Sequence, residues 1–167
     1  MGPAAFAVKD LENIGSHLLL LLDKKAFCQV GGAEQNMQES EDEESDEEDL
    51  NHDEIIFGNV TDLMISMAKA LGEQFVPLLE KLAPSLAPYL DEKHPRSDNV
   101  MAIGCLSEIF NSSPTVISTH FETFYQILMR MSVTDDGSLN RNVAYGIGVL
   151  AKKAPKNLFE PHTSTAV

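Results

Sequence analysis

An all-α fold, an α-solenoid of stacked helix pairs interrupted by a disordered acidic insertion, is what the sequence predicts. Three observations predict it. Apolar residues recur at helical spacing along nearly the whole chain of 167 residues, with no strand-like alternation of any length. A short motif with small residues in mid-helix occurs twice, at corresponding places in two helix pairs. The apolar periodicity breaks in one long stretch, Glu39–Glu54, where acidic side chains crowd together without a Lys or Arg.

The first helix carries Val8, Leu11, Ile14, Leu18, Leu21, Leu22 and Phe27, and Gly31-Gly32 is its stop signal. The acidic tract follows: Glu39, Glu41, Asp42, Glu43, Glu44, Asp46, Glu47, Glu48 and Asp49, then Asp53 and Glu54. It holds most of the excess of 26 acidic over 12 basic residues that sets the net charge of −14. Like charges this dense repel, and the stretch has too little apolar surface to offset the entropy of ordering it, so residues 31–54 are expected to be a disordered loop. Asp53 and Glu54 are expected at the start of a second helix, where the dipole favours carboxylates. Its apolar face is Ile56, Val60, Leu63, Met64, Met67 and Leu71, and Gly72 ends it.

A third helix from about Glu73 to Leu90 presents Phe75, Leu78, Leu79, Leu82, Leu86 and Tyr89. Pro77 is tolerated in its first turn, whereas Pro84 removes a backbone hydrogen bond in mid-helix and predicts a kink. After a turn at Lys93-His94-Pro95, the fourth helix carries Val100, Ile103, Leu106 and Phe110 and closes at Pro114. The fifth shows Ile117, Phe121, Phe124, Leu128 and Met131. Asp135-Asp136-Gly137 is a tight turn. The sixth has Leu139, Val143, Ile147 and Leu150 and ends before Pro155, and Leu158-Phe159 opens another helix.

Internal similarity turns these helices into a repeat. Ala102-Ile103-Gly104-Cys105-Leu106 matches Gly146-Ile147-Gly148-Val149-Leu150, and Phe75 meets Phe121 at a similar offset. A helix pair recurring every about 40–47 residues has the period of HEAT and armadillo solenoids, in which each pair buries its apolar face against the next. The expected division is a helix of an incomplete first repeat in 1–30, the acidic loop 31–54, HEAT-like pairs over 55–157, and the start of a further repeat in 158–167.

Composition narrows the function. The run Leu18–Leu22 is far shorter than the about 20 residues needed to span a bilayer. The first thirty residues lack signal-peptide architecture, and Phe6 stands where myristoylation requires Ser or Thr. Cys28 and Cys105 are expected as buried cytosolic thiols, which places the chain in the cytoplasm or nucleus. His17, His52, His94, His120 and His162 form no pair at metal-ligand spacing, and neither cysteine sits in a nucleophile motif. Gly146-x-Gly148 lies within a helix, where close packing explains it better than phosphate binding, and Asp135-Asp136-Gly137 lacks the other ligands of a calcium loop. No enzyme, metal or cofactor is expected. The negative charge opposes direct nucleic-acid binding.

The segment Asp135–Ala154, with Asn142, Tyr145, Gly146, Gly148, Leu150 and Ala151 in the order N-x-x-aromatic-G-x-G-x-L-A, resembles a second-helix segment of importin-β (karyopherin-β) nuclear transport receptors. Arg96-Ser97-Asp98 through Glu108 is similar to the preceding unit. The acidic run, short helix and Phe75-Val76-Pro77-Leu78-Leu79 opening follow the order of the importin-four type, in the C-terminal half of its solenoid. One departure is that Asn140 stands where the family often has Arg, two residues before the matched Asn. A second is length: such receptors have about twenty repeats, so this chain is expected to be a fragment.

The resemblance implies a receptor that carries basic cargo, histones or ribosomal proteins, through the nuclear pore. It implies nucleoporin contacts for the whole receptor, and contacts to the GTPase Ran on N-terminal repeats that this chain lacks. Cargo binding is expected of the acidic tract and of a second-helix groove holding Asp98, Glu108 and Asn142. That groove is read as three stripes: Asp62, Ser66, Lys69 and Glu73; Asp98, Met101, Cys105 and Glu108; Asn142, Tyr145, Val149 and Lys152. Tyr145 and Met101 are expected to pack rather than to anchor cargo. Ser40 and Ser45, each with Glu three residues on, fit acid-directed kinases. The alternative is a HEAT scaffold or acidic chaperone that masks basic proteins without transporting them.

Overall fold

The computed structural model describes residues 8–30, 44–91 and 93–163, and every regular element among them is helical. Apart from one helical turn at residues 27–30, the α-helices are α1, Val8–Leu22; α2, Glu44–Leu71; α3, Val76–Leu86; α4, Arg96–Ser112; α5, Pro114–Met131; α6, Gly137–Lys153; and α7, Lys156–Thr163. Single 3-10 turns, Gly72–Phe75 and Ala87–Leu90, flank α3.

The helices lie in two layers. In one, α4 sits between α2 and α6 and packs on both; in the other, α1 packs on α3. The second layer continues through polar and aromatic bridges. His120 of α5 meets Glu80 of α3 at 2.6 Å, and His162 of α7 meets Glu122 of α5 at 3.1 Å. Phe159 of α7 lies edge-on to Phe121 and Tyr125 of α5. Each layer therefore advances one helix per repeat, which is the arrangement of a helical solenoid.

One continuous core runs between the layers. Met64, Leu82, Ile103, Ile109, Leu128, Leu139 and Leu150 are fully buried within it. Glycines bring the helices close. A Cβ on Gly15 would stand 2.5 Å from Leu78 Cδ1, and one on Gly146 would meet Ser107 Oγ at 2.8 Å and Leu128 Cδ2 at 2.9 Å. Gly148 has nothing within 4 Å of that position, so close packing explains Gly146 and leaves Gly148 without a contact. His52–Leu90 is long and apolar enough to cross a membrane. Yet the chain turns there at Gly72, with φ 55°, and Phe57, Val60, Met64, Phe75, Leu79 and Leu82 all lie in the core.

The boundaries differ from expectation in three places. The first helix stops at Leu22 rather than at Gly31-Gly32. Lys24 adopts φ 56°, Lys25 N donates to Leu20 O and Lys24 N to Leu21 O, a Schellman closure with a non-glycine residue in the left-handed position. Phe27 and Cys28 are consequently exposed, not packed. The second helix begins at Glu44, upstream of Asp53, so the last part of the predicted loop is helical; residues 31–43 lie outside the described residues. Glu is a good helix former, carboxylates suit a helix N-terminus, and extending an existing helix needs no new nucleus. The third helix is shorter than expected: Pro84 lies inside α3, which gives way to the 3-10 turn at Ala87.

Candidate functional site

The groove expected on the second-helix layer is real only in part. Its centre is Glu108 on α4. Lys69 Nζ of α2 lies 2.8 Å from Glu108 Oε2, and Tyr145 of α6 donates its hydroxyl to Oε1 at 2.7 Å. Asn111 Nδ2 donates to the Tyr145 oxygen at 3.4 Å, and Lys153 Nζ to Asn111 O at 3.4 Å. The node ties the three neighbouring helices of this layer, α2, α4 and α6, together. Hydrogen bonds from Lys69 and Tyr145 hold the Glu108 carboxyl below its ordinary range, and the Glu108 carboxylate raises the Tyr145 phenol. Tyr145 is 41% exposed, so it stands on the open surface and not in the packing expected of it.

Other stripe residues face inward. Asp98, Cys105 and Val149 are buried. Cys105 Sγ lies 3.6 Å from Thr61 O, and burial pushes its thiol up to about 12. Met101 packs over Gly58, 3.3 Å from where a Cβ would lie. Asn142 donates Nδ2 to Val100 O at 2.8 Å, above Gly104. Glu73 turns to the start of α5, accepting from Ser113 Oγ at 3.0 Å and Thr115 N at 3.3 Å. The physical reason is that α4 is flanked on both sides. An i, i+3/4 stripe on such a helix spans more than its open arc, and the excess falls into the contacts with α2 and α6.

Within the acidic tract, Ser40 and residues Glu39–Glu43 lie outside the described residues. Glu44, Ser45, Asp46, Glu47, Glu48 and Asp49 belong to the backbone of α2. One turn further on, Asp53 pairs with Lys24 Nζ at 2.8 Å and accepts from Gln29 Nε2 at 3.2 Å. Burial opposes its ionisation, but the bonds from Lys24 and Gln29, together with nearby positive charge led by Lys24, keep the Asp53 carboxyl below the ordinary range. Asp53 is thus a clamp on the turn after α1, not a cap at the start of α2.

Asp53, Glu54 and Lys24 line a cavity of about 240 Å³, completed by Tyr89, Pro95, Ser97 and Asp98. The Tyr89 ring stacks on Phe57 at 3.9 Å, and its hydroxyl donates to Leu22 O at 2.8 Å. Burial, then the charges of Asp98, Asp53 and Asp23, push that phenol up to about 12. A second cleft, about 180 Å³, opens between α3 and α5 in the other layer. Leu79, Leu86, Leu90, Phe110, Val116 and Phe124 give it an apolar lining. Among the described residues, no set of three or more His, Cys, Asp or Glu side chains is placed to hold a metal ion.

The Glu108 node and the two Glu–His bridges escaped the reading of stripes. A signal for the bridges was present: Glu80 with His120 and Glu122 with His162 are the same pair, advanced by one repeat.

No protein-family model matches the chain. Over 140 residues, 83% of its length, it is 25% identical to a Schizosaccharomyces pombe protein described as "Probable importin subunit beta-4". The matched stretch is 13% of that relative's length, so the chain spans about an eighth of it. The similarity covers most of the chain and agrees with the importin-β resemblance carried by Asn142–Ala151.

Proposed function

We propose that the chain is a segment of an importin-β-type nuclear transport receptor, of the importin-four kind, that binds basic cargo proteins such as histones or ribosomal proteins and works between cytoplasm and nucleus. The observation that carries this reading is the similarity to an importin β subunit over 83% of a chain whose helices stack as repeat pairs. The net charge of −14, concentrated beside α2, supports a basic partner. Nucleoporin contacts are part of the same proposal for the full receptor. Ran contacts belong to the full receptor, and release of cargo by its GTP form separates a receptor from a masking scaffold.

The acidic tract acts at long range in this reading, by speeding encounter. Phosphorylation of Ser40 and Ser45 would add about −1.5 to −2 charge each and strengthen it. The test is stopped-flow association of a lysine-rich histone-tail peptide at several salt concentrations, comparing the chain with a variant whose Glu39–Asp49 acids are replaced by Gln and Asn. The variant should associate more slowly and with a shallower salt slope, because screening shortens from about 10 Å at 0.1 M to about 3 Å at 1 M. An unchanged rate and slope would reduce the tract to a linker.

A further inference from the structure

Two neighbouring interfaces in the second-helix layer are built from matching positions, yet one is filled and the other hollow. Asn142 of α6 and Asp98 of α4 occupy the same place in their repeats, as the alignment of Gly146–Leu150 with Ala102–Leu106 requires. Asn142 closes its interface by donating to the Val100 carbonyl of the preceding helix. An aspartate carboxylate, unlike the Asn142 amide, offers no N–H to a carbonyl. The only hydrogen-bond partner of Asp98 among the described residues is His94 Nδ1, at a long 3.4 Å. That bond is to Oδ2, and no hydrogen bond to Oδ1 is made among the described residues. The residue is 6% exposed and lines the cavity of about 240 Å³.

The walls of that cavity point to the chemistry of an occupant. Asp53, Glu54 and Asp98 supply three carboxylates against one ammonium, that of Lys24, which is already held by Asp53 at 2.8 Å. His94 stands beside Asp98 as a further titratable group. Pro95 adds apolar surface suited to the methylene stem of a long cation, beside a Tyr89 ring whose faces are taken by Phe57 at 3.9 Å and His94 at 4.9 Å. A buried carboxylate with a vacant oxygen in a roomy cavity favours a group that donates several hydrogen bonds from one plane. That description fits a guanidinium better than an ammonium. Asp53 and Glu54 lie on the same helix that the acidic part of the sequence opens.

We propose that this cavity is a subsite for an arginine side chain of the basic partner, with Asp98 as its carboxylate and Lys24 as its competitor for the neighbouring Asp53. The proposal rests on the basic-cargo reading and adds a residue-level preference to it. The probes are a short lysine-rich peptide carrying one arginine and the same peptide with citrulline there, which keeps the shape and removes the charge. Binding to the full chain is followed by calorimetry and by the amide resonances of Ser97 and Asp98.

The arginine peptide should bind about tenfold or more tighter than the citrulline peptide and shift those resonances, and Asp98→Asn should abolish the preference. Lys24→Gln should act oppositely and strengthen arginine binding, which a merely structural role for the cavity would not produce, and which keeps the test usable if Asp98→Asn folds poorly. Equal affinity for the two peptides, or no gain in Lys24→Gln, overturns the subsite, even if the tract still captures histone tails. If tract neutralisation leaves tail capture untouched while the arginine preference persists, the subsite stands and the recruiting role of the tract fails.

Discussion

Two glycines a single residue apart on α6 show what one side chain decides. Gly146 is pressed against Ser107 and Leu128, whereas Gly148 faces nothing within 4 Å. Alanine is the better helix former by about 1 kcal/mol, so Gly148→Ala should raise stability by about that much. At Gly146 the added methyl must displace the buried Leu128, and overpacking of about 1–3 kcal/mol outweighs the same propensity gain. Denaturant midpoints should therefore move in opposite directions for the two variants, and a common sign would contradict the close approach of α6 to α4 and α5. Glu108 makes the electrostatic counterpart. Its folded pKa is depressed by Lys69 and Tyr145, so its contribution to stability is present above the ordinary Glu range and lost as pH falls through the depressed value. Glu108→Gln should lower stability at neutral pH and flatten that part of the acid limb; pH-dependent denaturation curves of matching shape would disconnect the node from stability.

Helix identities were legible element by element, because period and stop signals agreed at Gly72, Pro114, Asp136 and Pro155. The boundary errors fell at a left-handed non-glycine residue, at acids that extend α2 upstream, and at the proline inside α3. Lys24 ends α1 with a left-handed residue that nothing in its neighbours announces, and its ion pair with Asp53 is visible only once α1 and α2 are side by side. Legibility of the candidate site failed for a related reason. Stripe positions such as Cys105 and Val149 have the right period but lie on arcs of α4 and α6 that neighbouring helices cover. The start of α5 is a case where local and tertiary signals coincide. Ser113 accepts from Val116 N at 3.2 Å as N-cap and donates to Glu73 at 3.0 Å, coupling the cap to the start of the preceding repeat. Ser113→Ala should cost about 1–2 kcal/mol, more than Glu73→Gln, which keeps an acceptor in place. Thermal melts giving Glu73→Gln the larger loss would mean that the inter-repeat bond, not the cap, is the stabilising part.

At the scale of the whole molecule, the polar contacts recur with the repeat. Glu80–His120 and Glu122–His162 are one bridge used twice, and Asn142 to Val100 and Arg130 to Leu90 likewise each cross a single repeat. A structure held by nearest-neighbour interfaces distributes stability as a chain of local terms, so damage at one end should not spread evenly. The α7 end offers the test. Phe159 is half-buried against Phe121 and Tyr125, and His162 sits over the Tyr125 ring at 4.2 Å. Phe159→Ala should cost less than the about 3–5 kcal/mol of a fully buried Phe. Hydrogen exchange should quicken through α7 and the facing surface of α5, while amides of Met64 on α2 and Ile103 on α4 keep their protection. Equal acceleration in all of them would describe one cooperative bundle, and would remove the basis for treating each interface, including the hollow one beside Asp98, as a unit that can be altered alone.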